Sequence, residues 1–175
     1  MKLINNKISL IGLFTALGVT LGFIFCHIPN VELLTATIFI SGFIMGIKEG
    51  LMVGIFSESI YSIFNPMGVA FPPLFIAQVL AMSLTGALGG LFKKWKFQST
   101  VTFHLTLGLS GFFTTFIFAV LTTLSFTLFI KFSWKNLLGS FVFGLGFYIT
   151  HLLTNTIIFL TIVPLILNIC KKVTS

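Results

Sequence analysis

Long apolar windows broken by short polar stops organise the whole chain. The first window covers 8–27 and ends in the stretch "HIPN". The second, 31–47, ends at Lys48-Glu49, and the third, 49–64, ends in "NPMG". A Pro-containing connection over 65–73 leads to a fourth window at 74–92, closed by "KKWK". The fifth and sixth, about 101–130 and 136–170, are separated by "KFSWK". A helix crosses the hydrocarbon core of a bilayer in about 20 residues. The pattern therefore predicts an all-α integral membrane protein. Its six transmembrane helices would form a compact bundle, with residues 1–175 as a single transmembrane domain. The second and third windows are short. The fifth and sixth exceed one crossing, so tilt, a kink or a protruding end is expected there.

Composition agrees with lipid as the solvent. Apolar residues make up 57% of the chain and charged residues 7%, against roughly 25% in a water-soluble domain. Mean hydropathy is +1.14. The net charge of +7 comes from ten lysines placed singly or in short groups at window ends, which is a membrane-orientation pattern and argues against nucleic-acid binding. With a cytoplasmic N-terminus, Lys2, Lys7, Lys48, Lys93, Lys94, Lys96, Lys171 and Lys172 fall inside and only Lys131 and Lys135 outside. Both termini are accordingly expected in the cytoplasm of a prokaryotic plasma membrane. Residues 1–26 begin like a signal peptide, but no small-x-small cleavage site closes the run and bulky Phe25 precedes Cys26. It reads as a retained first helix. Cys26 and Cys170 are expected on opposite faces, and their spacing is not that of a metal site.

Against this background a few polar residues stand out. Glu58 is one of three acidic residues in the chain, and it falls inside the third window. Helical spacing puts Glu58, Tyr61, Ser62 and Asn65 on one stripe. Two readings of the stripe stand. It faces an oriented polar ligand, with Glu58 accepting from donors or balancing a cation and Tyr61 offering a ring. Otherwise, a protonated Glu58 hydrogen-bonds a neighbouring helix. Glu32 opens the second window, where an acid also suits a helix N-terminus. Gln78 sits at similar depth in the fourth window, and Trp134 in the outer "KFSWK" loop could lie over a cavity or simply mark the interface. On the sixth helix Tyr148, His151 and Asn155 share a face, through ligand contact or interhelical hydrogen bonds. His27 and His104 need only solvation.

Small residues supply a second pattern. Gly12, Ala16 and Thr20 recur every four residues on the first helix, and Gly18 and Gly22 do so on another face. Gly86 and Gly90 repeat the spacing on the fourth. Such ridges let helix backbones approach closely in lipid, within the bundle or against another protein. Several chemistries are absent. The chain has no G-x-x-x-x-G-K-[ST], G-x-S-x-G, H-E-x-x-H or C-x-x-C, and it contains no aspartate. Neither a nucleophile nor a metal-ligand cluster accompanies Glu58 and His151, so no enzyme, metal or cofactor is expected.

Taken together, these features resemble the substrate-binding S components of energy-coupling factor (ECF) vitamin transporters. The likeness is carried by six spans with both ends inside and by the small-residue first helix "LIGLFTALGVTLGF". It extends to the Gly-punctuated pair "ELLTATIFISGFIMGIKEGLMVGIFSE" and to "NPMGVAFPPLFIAQVLAMSLTGALGGLF". It is strongest over 8–92 and rests on topology beyond. The resemblance implies capture of a vitamin or related micronutrient in an outward-facing pocket. Delivery would follow by tipping over while docked on a coupling transmembrane subunit driven by two ATPase subunits. It places Gly12, Ala16 and Thr20 on the docking ridge, where the family more often shows alanine at the first two positions. By depth and helical face the pocket candidates are Glu32, Glu58, Tyr61, Asn65, Gln78, Trp134, His151 and Asn155. Two other readings are a membrane scaffold of cell-shape machinery type, which would bind no small molecule, and a stand-alone small carrier.

Overall fold

The computed structural model describes residues 2–28, 30–95 and 99–174, with side chains from 7 to 170 within those ranges. Pro29 and Lys96 lie outside the described residues, as do the side chains of Lys2, Lys171 and Lys172 that enter the orientation argument. Six helices follow in order: α1 (Lys2–Phe25), α2 (Leu34–Met45), α3 (Ile47–Ile63), α4 (Pro72–Phe92), α5 (Thr100–Ile130) and α6 (Trp134–Thr174). Four of them, α1, α4, α5 and α6, are long and apolar enough to cross a membrane. With 12 and 17 residues, α2 and α3 rise only about 18 and 26 Å.

The break between α2 and α3 falls at Gly46, ahead of Lys48-Glu49. Gly46 has φ 124°, a conformation open to glycine and strained for other residues, and its N–H donates to the Gly42 carbonyl at 2.8 Å. Lys48 and Glu49 then belong to the first turn of α3, where an acid meets the positive end of the helix. Glu49 also pairs with Lys7 of α1. Lys93, just past α4, donates to the Ile44 carbonyl near the end of α2 at 2.7 Å, so lysines close helix ends on this side of the bundle.

α2 is the centre. Every residue from Leu34 to Phe43 is buried, because the helix packs against α1, α3, α4 and α6 and carries no charged side chain. Its close approach to α3 and α4 depends on glycine. A Cβ on Gly42 would lie 2.0 Å from the Gly86 carbonyl oxygen, and one on Gly86 would lie 2.0 Å from that of Gly50. The α4 ridge is thus internal packing. Below it, Phe39 meets Phe92 and Phe159 edge-on at 5.5 and 5.1 Å, in a cluster joining α2, α4, α5 and α6.

α1 packs only on α2 and α3 among the larger helix contacts. Its two small-residue ridges point opposite ways. A Cβ on Gly18 would meet the Leu34 side chain at 3.2 Å, and one on Gly22 the Tyr61 ring at 2.9 Å. Gly12, Ala16 and Thr20 are exposed, with nothing within 4 Å of a Cβ on Gly12. α5 and α6 carry hydroxyls that donate to carbonyls one turn back, such as Thr114 to Ser110 at 2.9 Å and Thr123 to Ala119 at 2.7 Å. Hydroxyls satisfied in this way can lie inside an apolar helix. Pro164 is buried within α6 and interrupts its hydrogen-bond ladder.

Candidate functional site

The chain between α1 and α2 folds over one end of the bundle and roofs a cavity of about 410 Å³. Its walls come from the end of α1, the start of α2, the second half of α3, the first half of α4, and α5 and α6. Glu32, Glu58, Tyr61, Gln78 and His151 all line it. Two of the three acidic residues therefore share one pocket.

Glu58 is 2% exposed although α3 runs along the bundle surface. Its Oε1 accepts from Ser62 Oγ at 2.8 Å, one turn later on the same helix. Ser62 Oγ also lies 3.0 Å from Gln78 Oε1, which links α3 to α4. The other carboxyl oxygen, Oε2, is buried without a hydrogen-bond partner. A buried polar atom left unpaired costs about 1–3 kcal/mol, so this oxygen is an unsatisfied acceptor on a residue of the wall. Tyr61 leans on Gly22, with its ring 5.4 Å from that of Phe23.

Glu32 stands in the loop, two residues before α2. It caps that helix from outside. Its Oε2 accepts from the Thr35 backbone N–H at 3.0 Å, and its Oε1 accepts from the Thr35 hydroxyl. His151 Nε2 lies 3.7 Å from Oε1. Burial alone would raise the Glu32 carboxyl, but the His151 imidazole and the Thr35 donors outweigh it and hold it below the usual carboxylate range. Behind them, Asn155 is fully buried. Its Nδ2 sits 3.3 Å from Glu32, 3.0 Å from Thr115 Oγ1 and 3.1 Å from His151 Nε2. With two protons, that nitrogen serves two of the three at once. The network ties the loop to α5 and α6. Asn155→Leu is expected to cost about 1–3 kcal/mol, read as a lower thermal midpoint of the purified protein. An unchanged midpoint would mean that Glu32 and His151 hold their positions without it.

The remaining candidates do not line the cavity. Asn65 sits in the turn after α3, where its Oδ1 accepts from the Met67 N–H at 2.9 Å. Trp134 opens α6, is 72% exposed and packs against Phe132. Tyr148 shares the helical face of His151, but its hydroxyl meets Thr123 at 2.7 Å beside a separate lateral cleft. Sequence reasoning missed Asn30, which lines the cavity from the loop. Its Nδ2 donates to Thr150 at 2.9 Å and its Oδ1 is buried without a partner. Its position two residues before Glu32 was the available signal. The aromatic walls, Phe25, Phe118 and Phe147, could not be singled out in a chain with 23 phenylalanines. Among the described residues no group of three or more His, Cys, Asp or Glu could hold a metal.

A cavity walled by two carboxyl-bearing residues is set in one end of an apolar helical bundle, and the bundle is that of a multi-pass membrane protein. A model of the family described as the ECF transporter, substrate-specific component, matches residues 6–167, and the chain belongs to that family. No curated protein and no solved structure matches it.

Proposed function

We propose that this chain captures a vitamin or related micronutrient at the outer face of a prokaryotic plasma membrane. It then delivers the nutrient through a coupling transmembrane subunit driven by two ATPase subunits. In this reading all six helices lie in the membrane, both termini are cytoplasmic, and the cavity opens outward. The excess of lysines at the opposite ends of the helices supports that orientation. Glu32, Glu58, Tyr61, Gln78 and His151 contact the nutrient, Asn155 fixes the first and last of these, and Asn65 and Trp134 belong to the rim.

The observation that carries the proposal is the buried, unpaired Oε2 of Glu58, a residue that lines the cavity. A carboxyl group used only for helix packing would have its second oxygen satisfied by a neighbour. The test is a thermal-shift screen of the purified chain in detergent against vitamins and their precursors. A ligand present at a thousand times its Kd should stabilise the fold by about 4 kcal/mol. A panel without any shift would return the chain to a scaffold role.

A further inference from the structure

The sign of the cavity narrows the class of nutrient, on the premise that the cavity is the transport site. The chain contains no arginine, and among the described residues no lysine lines the cavity. Helix N-termini are the other common anion holders. The one at α2 is already occupied, since the Thr35 N–H is taken by Glu32. The one at α4 begins with Pro72 and Pro73, neither of which has an N–H to offer. A phosphate or carboxylate entering here would find two carboxyl groups and, for positive charge, only the histidines His27 and His151.

Acceptors, by contrast, are in surplus. Glu58 Oε2 and Asn30 Oδ1 are buried and unpartnered, and both residues line this cavity. Glu32 is already committed to Thr35, His151 and Asn155, which leaves Glu58 as the group without a counter-ion. The rings of Tyr61, Phe118 and Phe147 belong to the walls, and aromatic rings attract flat cations. At interior packing density, about 410 Å³ accommodates on the order of 15–20 non-hydrogen atoms.

We propose that the nutrient is a compact nitrogen heterocycle that carries positive charge and N–H donors and no acidic group, with Glu58 as its counter-ion. The test uses the full-length chain in lipid nanodiscs and equilibrium binding of vitamins matched by charge. The probes are thiamine and pyridoxamine as nitrogen-rich cations, pyridoxine and nicotinamide as neutral rings, and biotin and pantothenate as anions. The expected result is saturable binding confined to a cationic probe. Glu58→Gln should weaken it about a hundredfold while pyridoxine and nicotinamide remain unbound. Tight binding of biotin or pantothenate would overturn the charge assignment and leave the S-component reading standing. Binding of a cation unaffected by Glu58→Gln would overturn the counter-ion role. Failure of every vitamin of every charge would remove both this class and the transport reading.

Discussion

Gly86→Leu is expected to prevent the bundle from assembling. The Gly86 Cα faces the Gly50 backbone so closely that a Cβ would sit 2.0 Å from the carbonyl oxygen and 2.4 Å from its carbon. From the other direction, Cβ atoms on Gly42 and Gly50 would fall 2.0 and 2.4 Å from the Gly86 oxygen. The obstacle on every side is backbone, so no rotamer change relieves it. α2, α3 and α4 would have to separate, and α2 is the helix on which the other packing depends. Overpacking of an ordinary core costs about 1–3 kcal/mol. Displacing three helix backbones should exceed that and leave little protein with a cooperative thermal transition. Gly139→Leu is the control, since nothing lies within 4 Å of a Cβ there. A monodisperse Gly86→Leu protein with the parent's thermal midpoint would show that the three helices do not need this contact.

That glycine contact also shows how far the sequence could be read. Apolar windows fell on all six helices, within four residues at every end except the start of α1, which begins six residues earlier at Lys2, because hydrocarbon-compatible length and charged stops are linear properties of a chain. The α2–α3 break was displaced because Lys48-Glu49 is the more conspicuous polar pair, whereas the chain turns where Gly46 permits φ 124°. Small-residue spacing was visible on both faces of α1. Which ridge turned inward depended on Leu34 and Tyr61, residues brought there by other helices. The site divides similarly. Glu58 was conspicuous because a carboxyl group in an apolar helix has few structural excuses. Asn30 and Thr115 were not, since an asparagine in a turn or a threonine in a helix ordinarily satisfies itself locally. Helical spacing put Tyr148 beside His151. It gave no sign that Thr123 lay close enough to take its hydroxyl.

The outward ridge of α1 yields the second large effect. Gly12, Ala16 and Thr20 form a strip free of bulky side chains on a helix whose neighbouring exposed positions are Ile8, Leu13, Leu17 and Ile24. Lipid needs no such strip, because acyl chains accommodate large side chains, whereas a second helix backbone approaches only where side chains are small. Under the proposed function that second backbone belongs to the coupling subunit. Ala16→Trp should then abolish co-purification with the coupling and ATPase subunits and lower nutrient uptake at least tenfold. The cavity lies on the other side of α1, where Gly22 meets Tyr61, so the ligand-induced thermal shift should survive. Leu105→Trp tests bulk alone, since Leu105 is 57% exposed on α5, and it should leave assembly and uptake intact. Equal loss from both variants would point to a general defect in insertion. Normal assembly of Ala16→Trp would mean that the energising subunits dock on another face, because a tryptophan in the strip separates two helix backbones by several ångströms.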